Sequence, residues 1–364
     1  MDIDKFTRQV KYNCNVADAQ SWGYYSICGL LLRIRGLYRH EHAMKPWQNI
    51  PMDAAMSWVE SREALWAELG EKTLRDIEIN GKYYGPFEVD SINDAINDNG
   101  FVYGGGYGLF HKPTFFFARL RQKKSVGDFH VFYAEDELCR DISTSIAMLQ
   151  DKNIFIRLEQ LRAFLLEKFH ELQGRKSGGI LEHAFSHYEI EKGEPVSEKL
   201  YEKIKDVSFE VIDILTAHEI GEAREDEITG NWISFLMNNN DKFLELYIRG
   251  IKDLLADTSE SGTIKMILER KSHALLSFFI IMLDGIRKEL FPEMLDAYQR
   301  FMESNDWRII EDARRSGYRR ASALRYGILG LLDGEEGIED IKDFIRPHLG
   351  EKASGKLRGP SQSD

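Results

Sequence analysis

Residues 217–226, AHEIGEARED, place one histidine and several carboxylates within a short stretch of the chain. His218 and Glu222 are four residues apart, so on a helix their side chains would share one face and bind one ion together. Glu219 lies three residues before Glu222 and would bind the same ion or carry a proton as the catalytic residue. The spacing therefore predicts a divalent metal site with an adjacent acid or base.

The helical face that carries these residues distinguishes a metal site from an acidic surface. Each residue of a helix turns by about 100°, which places His218, Glu219 and Glu222 in the same arc as the apolar residues Val211 and Leu215. Ionised carboxylates on such a face need a cation or a metal beside them. The alternative interpretation is an acidic helix end that faces water or pairs with a nearby arginine.

Three further histidines are candidates to complete the metal site. His183 and His187 lie four residues apart in GGILEHAFSHYEIE, a spacing that suits two imidazoles on one ion, and His273 lies at the start of another apolar stretch. We expect these residues to join His218 and Glu222 around a divalent ion, either zinc, iron or manganese. The alternative is that they are solvated or structural histidines.

The order of the candidate residues resembles that of the HD-type metal phosphohydrolases. His187, the doublet His218–Glu219 and the distant Asp284 occur in that order, with glutamate where the doublet of that family has aspartate. The resemblance implies metal-dependent hydrolysis of a phosphate compound. It covers these positions alone, so it assigns no family to the chain.

An arginine-rich stretch, EDARRSGYRRASALRYG, suggests an anion site. Arg315 and Arg319 are four residues apart and form one strip of a helix, and their guanidinium groups suit carboxylate or phosphate recognition. Together with a metal that activates water, they predict a hydrolase that acts on a small anionic substrate. The alternative function is a non-catalytic adaptor or regulatory protein that binds a protein partner and has structural histidines.

The rest of the chain predicts an α+β, mainly α, fold. Residues 1–150 form the predicted α+β domain, because aromatic segments broken by turn residues, and a turn at KKSVGD, indicate a small antiparallel β-sheet between helices. Residues 151–349 form the predicted all-helical domain, a multi-helix bundle interrupted at glycine and proline. Residues 350–364 are small and polar, which predicts a flexible tail.

Composition limits the classes of partner. The 364 residues include 60 Asp and Glu against 48 Lys and Arg, a formal net charge of -12, so extended nucleic-acid binding is not expected. The most apolar stretches are shorter than the roughly 20 residues of a membrane helix. Three scattered cysteines fit a reducing compartment, and we expect a cytoplasmic protein. Composition indicates no particular oligomeric state.

Overall fold

The computed structural model describes residues 1–108, 111–175, 179–229, 241–334 and 337–348. These residues confirm the predicted α+β, mainly helical class. The chain divides into two compact units: unit 1 comprises Met1–His170 and Glu194–Ser208, and unit 2 comprises Glu171–Gly193 and Phe209–Asp364. The domain boundary at residue 150 stays a prediction, and the predicted tail, 350–364, lies outside the described residues.

Unit 1 combines helices with two β-sheets. Its helices are α1 (Ile3–Ser21), α2 (Ile27–Glu41), α3 (Met52–Leu69), α4 (Val89–Ile96) and most of α5 (Leu158–Gly174). Asp2 and Ser26 begin α1 and α2, because their side chains accept hydrogen bonds from backbone N–H groups that have no partner within the helix. The first sheet is a hairpin of β1 (Ile77–Ile79) and β2 (Lys82–Tyr84).

The second sheet has five strands in the order β3-β4-β5-β7-β6. The strands are β3 (Phe101–Tyr107), β4 (Pro113–Val126), β5 (Phe129–Arg140), β6 (Ala147–Gln150) and β7 (Asn153–Arg157). All neighbouring pairs are antiparallel except β5 and β7, which pair in parallel with His130 opposite Asn153. The predicted antiparallel sheet is thus part of a larger, mixed sheet that continues beyond residue 150.

The core of unit 1 lies between α1 and this second sheet. Phe6, Val10 and Cys14 of α1 are buried in one cluster with Phe115 and Phe117 of β4. Aromatic side chains bury a large apolar area each, so this cluster contributes strongly to the stability of the unit.

Unit 2 is helical over its described residues. Its helices are α6 (Gly179–Ser186), α7 (Glu198–Thr229, whose first turns belong to unit 1), α8 (Lys242–Thr258), α9 (Thr263–Arg270), α10 (His273–Met282), α11 (Gly285–Leu290), α12 (Pro292–Ser304), α13 (Trp307–Asp333) and α14 (Ile338–Ile345).

The three short helices α9 to α11 occupy a region whose sequence pattern resembles one long helix. Lys271, with φ 50°, adopts the left-handed backbone conformation and ends α9. Ser272 then begins α10, because its hydroxyl accepts a hydrogen bond from the backbone N–H of Leu275. The helix α10 ends at Met282, where Leu283 is extended, and α11 begins at Gly285. Among the described residues, no helix is both long enough and apolar enough to cross a lipid bilayer.

Candidate metal centre

Two helices of unit 2 carry the candidate site, and a glycine lets them approach closely. A Cβ atom at Gly221 of α7 would lie 2.5 Å from the backbone oxygen of Ala256 in α8, a separation that real Cβ atoms do not reach. The bare backbone at Gly221 therefore brings α7 and α8 together one turn from His218. Arg314 of α13 supports the end of α8, because its guanidinium donates to the Thr258 carbonyl over 2.7 Å.

Three potential metal ligands converge between these helices. His218 and Glu222 of α7 and Asp253 of α8 each offer one ligand atom, and these atoms lie within 4.8 Å of one another. The His218 Nε2 atom is 3.9 Å from Asp253 Oδ1. Within the described ranges, this is the one group of three or more such side chains that could share an ion.

A buried carboxylate orients the histidine of this group. Asp257 is only 1% exposed, and its Oδ1 atom lies 2.8 Å from His218 Nδ1. The other oxygen, Oδ2, accepts a hydrogen bond of 2.9 Å from Arg287 of α11. Although burial acts in the opposite direction, the Arg287 guanidinium keeps the pKa of Asp257 below its usual value. The ionised Asp257 therefore holds the proton of His218 on Nδ1, and Nε2 points towards Asp253.

The ionisation of the site follows from its burial and its charges. Burial alone would lower the pKa of His218, but the Asp257 carboxylate raises it to about 10. Glu222 forms an ion pair of 3.1 Å with Lys252. Although burial acts in the opposite direction, the Lys252 ammonium group keeps the pKa of Glu222 below its usual value. Burial raises the pKa of Asp253.

Glu219 is a further buried carboxyl group beside the three candidate ligands. It is 7% exposed, and burial followed by the negative charge of Glu222 raises its pKa to about 8. A carboxyl group that titrates near neutral pH suits proton transfer. In the absence of an ion, the protons on His218 and Glu219 bring the network close to electrical neutrality.

The other predicted metal ligands lie elsewhere in unit 2. His183 and His187 neighbour each other at the end of α6, where their Nε2 atoms are 3.4 Å apart. His273 begins α10 and packs its ring against Phe301 and Trp307. None of the three histidines belongs to the group around His218. The role of these three histidines as metal ligands stays a prediction.

Sequence reasoning missed the residues that α8 and α11 contribute. Asp253 and Asp257 are four residues apart in KDLLADT, beside the buried Leu254 and Leu255. This spacing could have predicted a site on α8, since two carboxylates on one partly buried helical face need cationic partners. Arg287 carried no comparable signal, because its partner lies 30 positions away in the sequence.

The arginine-rich helix α13 mostly pairs with acidic residues of the same unit. The side chain of Arg315 is 65% exposed and forms an ion pair of 2.6 Å with Glu311. Arg319 is exposed. The anion-binding role of Arg315 and Arg319 stays a prediction. The Asp284 predicted from the HD-type order precedes α11 and is outside the ligand group.

Comparison with models of known protein families places the chain in one family. Residues 5–157 match the N-terminal domain, and residues 162–351 the C-terminal domain, of a family of unknown function, DUF6866. The chain belongs to the DUF6866 family. All three candidate ligands, with Glu219 and Asp257, lie in the DUF6866 C-terminal domain. No curated protein and no solved structure matches the chain.

Proposed function

We propose that unit 2 binds a divalent metal ion through His218 Nε2, Glu222 and Asp253. The observation that carries this proposal is the hydrogen bond from His218 Nδ1 to Asp257 Oδ1. Metal-bound histidines almost always donate their other ring N–H to a carboxylate, a carbonyl or water, which fixes the tautomer and orients the ring. Asp257 supplies that carboxylate, so the second ring nitrogen faces the two acidic ligands.

The donor set limits the choice of metal. One imidazole and two carboxylates suit zinc, iron or manganese, whereas a site for calcium or magnesium is built from oxygen ligands alone. Charge also supports a cation at this point. If His218 is neutral and Glu219 is ionised, the network has more negative than positive charges, because only the cations Lys252 and Arg287 oppose four carboxylates. The carboxylates are those of Glu219, Glu222, Asp253 and Asp257. A divalent ion would replace the protons that otherwise balance these charges.

Three protein ligands leave coordination positions open for water and substrate, as in catalytic metal sites. The ion would lower the pKa of a bound water, and Glu219 would accept the proton. We therefore extend the proposal to hydrolysis of a small anionic substrate, with phosphate monoesters as the first class to test. The ion itself would favour a negatively charged substrate, since Lys252 and Arg287 are already paired with Glu222 and Asp257.

Metal content of the full chain, expressed without a histidine tag, tests the binding step. We expect Asp253→Asn to hold about one equivalent of zinc, iron or manganese per chain less than the wild type. Asp296→Asn is a matched control, because Asp296 is 70% exposed on a helix of the same unit. Unchanged metal content in Asp253→Asn would refute the metal site.

Activity and metal content together test the catalytic step. In the metal-loaded protein, Glu219→Gln should keep the metal but reduce hydrolysis of p-nitrophenyl phosphate about 100-fold or more, since general acid–base groups typically contribute 10²–10⁴-fold. If the wild type binds metal but hydrolyses no phosphate monoester, the catalytic extension is wrong and the binding proposal stands.

A second candidate function, binding of a partner protein, has its own support in unit 1. Ile27, Leu31 and Leu32 on one face of α2 are 79%, 60% and 55% exposed, and Met52 of α3 is 74% exposed. Large apolar side chains that stay exposed to solvent are common at interaction sites. A cavity of about 370 Å³ that includes three tryptophans, Trp22, Trp58 and Trp66, lies in the same unit. The apolar face of a partner helix would suit this surface.

Cys28 provides a direct test of that second function. It lies exposed on α2, whereas Cys14 and Cys139 are buried, so a maleimide photo-crosslinker would attach at this position. We expect the label to capture one specific partner protein and Leu31→Arg to abolish the capture. A captured set of proteins that is identical for the wild type and for Leu31→Arg would exclude this surface.

A further inference from the structure

Two histidines at the end of α6 lie in an arrangement that the His218 site does not use. His183 lies in the last turn of α6, and His187 follows the final residue of that helix, Ser186. Their Nε2 atoms face each other at 3.4 Å. His183 is half-buried and His187 is exposed, so this pair is open to solvent on one side.

The separation of the two nitrogen atoms is informative. Hydrogen bonds between a ring N–H and an acceptor mostly span about 2.7–3.2 Å, so 3.4 Å is long for a direct bond. Two nitrogen ligands of one tetrahedral zinc ion, each about 2.0–2.1 Å from the metal, lie about 3.4 Å from each other. The pair therefore has the spacing of two ligands that share an ion.

The pair is accessible to a metal ion, because His187 is exposed. His273 does not join the pair in a group of three possible ligands within 4.8 Å, so among the described residues the two imidazoles are the protein ligands that this site offers.

We propose that His183 and His187 form a second metal site, separate from the His218 centre, which binds a transition metal through two imidazole nitrogens. Imidazole ligands suit zinc, copper and nickel, whereas the carboxylate-rich His218 site also suits manganese and iron. The ion would connect the last turn of α6 to the residue after it and so stabilise this end of the helix.

Calorimetric titration of the full, untagged chain with zinc and with copper ions tests this proposal. Asp253→Asn provides the background, since that change removes a ligand of the His218 centre only. We expect Asp253→Asn to retain one binding event, and the further change His187→Ala to weaken it at least ~10-fold, because even the loss of a group that supports a ligand costs 10–100-fold in affinity. The thermal midpoint of Asp253→Asn should rise with zinc, and this rise should disappear in the double variant.

His130→Ala is the matched control, because His130 is an exposed histidine on β5 in unit 1. Adding it to Asp253→Asn should leave the binding event unchanged. The proposal is overturned if Asp253→Asn binds neither ion, or if His187→Ala leaves the affinity and the thermal shift intact. The test is independent of the His218 centre: if that centre binds no metal, the wild type should still bind one ion at the histidine pair.

Discussion

A hydrogen bond of 2.8 Å joins His218 of α7 to Asp257 of α8, although 39 positions separate these residues in the sequence. Asp257 also bonds Arg287, so one buried carboxylate links three helices of unit 2. This bond holds the His218 proton on Nδ1 and directs Nε2 to Glu222 and Asp253. The position of Asp257 thus determines both the packing of the helices and the geometry of the candidate ligands.

Replacement of Asp257 by asparagine tests this double role. Asp257→Asn retains the shape of the side chain but leaves Arg287 without its buried counter-charge, so the free energy of unfolding should fall by about 3 kcal/mol. Metal affinity should fall about 10–100-fold although no ligand is removed. Urea unfolding and calorimetry measure the two effects. Asp257→Asn with wild-type metal affinity would show that this carboxylate does not orient a ligand.

The approach of α7 to α8 depends on Gly221. In Gly221→Ala the new methyl group would meet the Ala256 backbone oxygen at 2.5 Å, and a backbone atom in a helix cannot move aside as a side chain does. We expect the helices to separate, with a loss of about 2 kcal/mol in unfolding free energy and weaker metal binding. Thermal unfolding and metal titration measure these changes.

Gly330→Ala is the control for this prediction. Gly330 lies in the helix α13, and a Cβ atom there would meet nothing within 4 Å. Alanine favours helix more than glycine by about 0.5–1 kcal/mol, so this variant should gain stability. Equal effects of the two substitutions would mean that close packing at Gly221 is unimportant.

Local sequence patterns predicted the fold class, but they did not predict the strand β7. Residues 153–157, NIFIR, precede a strongly helical pattern, and a short apolar run cannot be distinguished from a buried helical segment by periodicity. The structure shows a strand there because β7 pairs in parallel with β5 and antiparallel with β6. Such pairing depends on distant residues that the local pattern does not contain.

The sequence could predict only those residues of the candidate site that lie on a single helix, α7. Periodicity placed His218 and Glu222 on one face of α7, and the structure brings both together. The third residue of this group, Asp253, comes from α8 and is not one of the predicted histidines. Helical phase determines which residues share a face, but it does not determine which other helix packs against that face.

In unit 1, Glu41 should make stability depend on pH. It pairs with Lys11 over 2.9 Å and with Arg62, and although burial opposes them, these cations lower its pKa from 4.5 to about 2. A depressed carboxyl pKa contributes stability above the unfolded value of 4.5, and this contribution is lost as the pH falls towards 2. Unfolding free energy measured from pH 6 to pH 2 tests this dependence.

Glu41→Gln should remove this contribution. The variant should be less stable than the wild type by about 2 kcal/mol at neutral pH, less than the full shift implies because water still reaches this side chain. The difference should shrink steadily as the pH falls from 4.5 towards 2, since the unfolded wild-type chain then takes up a proton that the folded protein does not. Two parallel curves of stability against pH would show that the ion pairs of Glu41 contribute nothing.

A second ion pair of unit 1 is almost fully buried. Lys112 Nζ lies 2.7 Å from Asp18 Oδ1, and the two side chains are 4% and 1% exposed. Asp18 also accepts hydrogen bonds from the backbone N–H of Ile142. Lys112→Met should cost about 3–5 kcal/mol of unfolding free energy at pH 7, because it leaves the Asp18 charge buried without a cation. Chemical denaturation measures this loss.

The pH dependence of that loss identifies its cause. Burial already raises the pKa of Asp18 to about 6, and removal of the lysine raises it further, since the ammonium group no longer stabilises the carboxylate. The folded variant then binds a proton at a higher pH than the folded wild type, whose Asp18 has a pKa of about 6, so acidification from pH 8 towards 6 should restore part of its stability relative to the wild type. The double variant Asp18→Asn/Lys112→Met should be more stable than Lys112→Met at pH 7, because asparagine still accepts from Ile142 and carries no charge. A loss that is constant with pH and unrelieved in the double variant would instead assign the effect to packing around the lysine side chain.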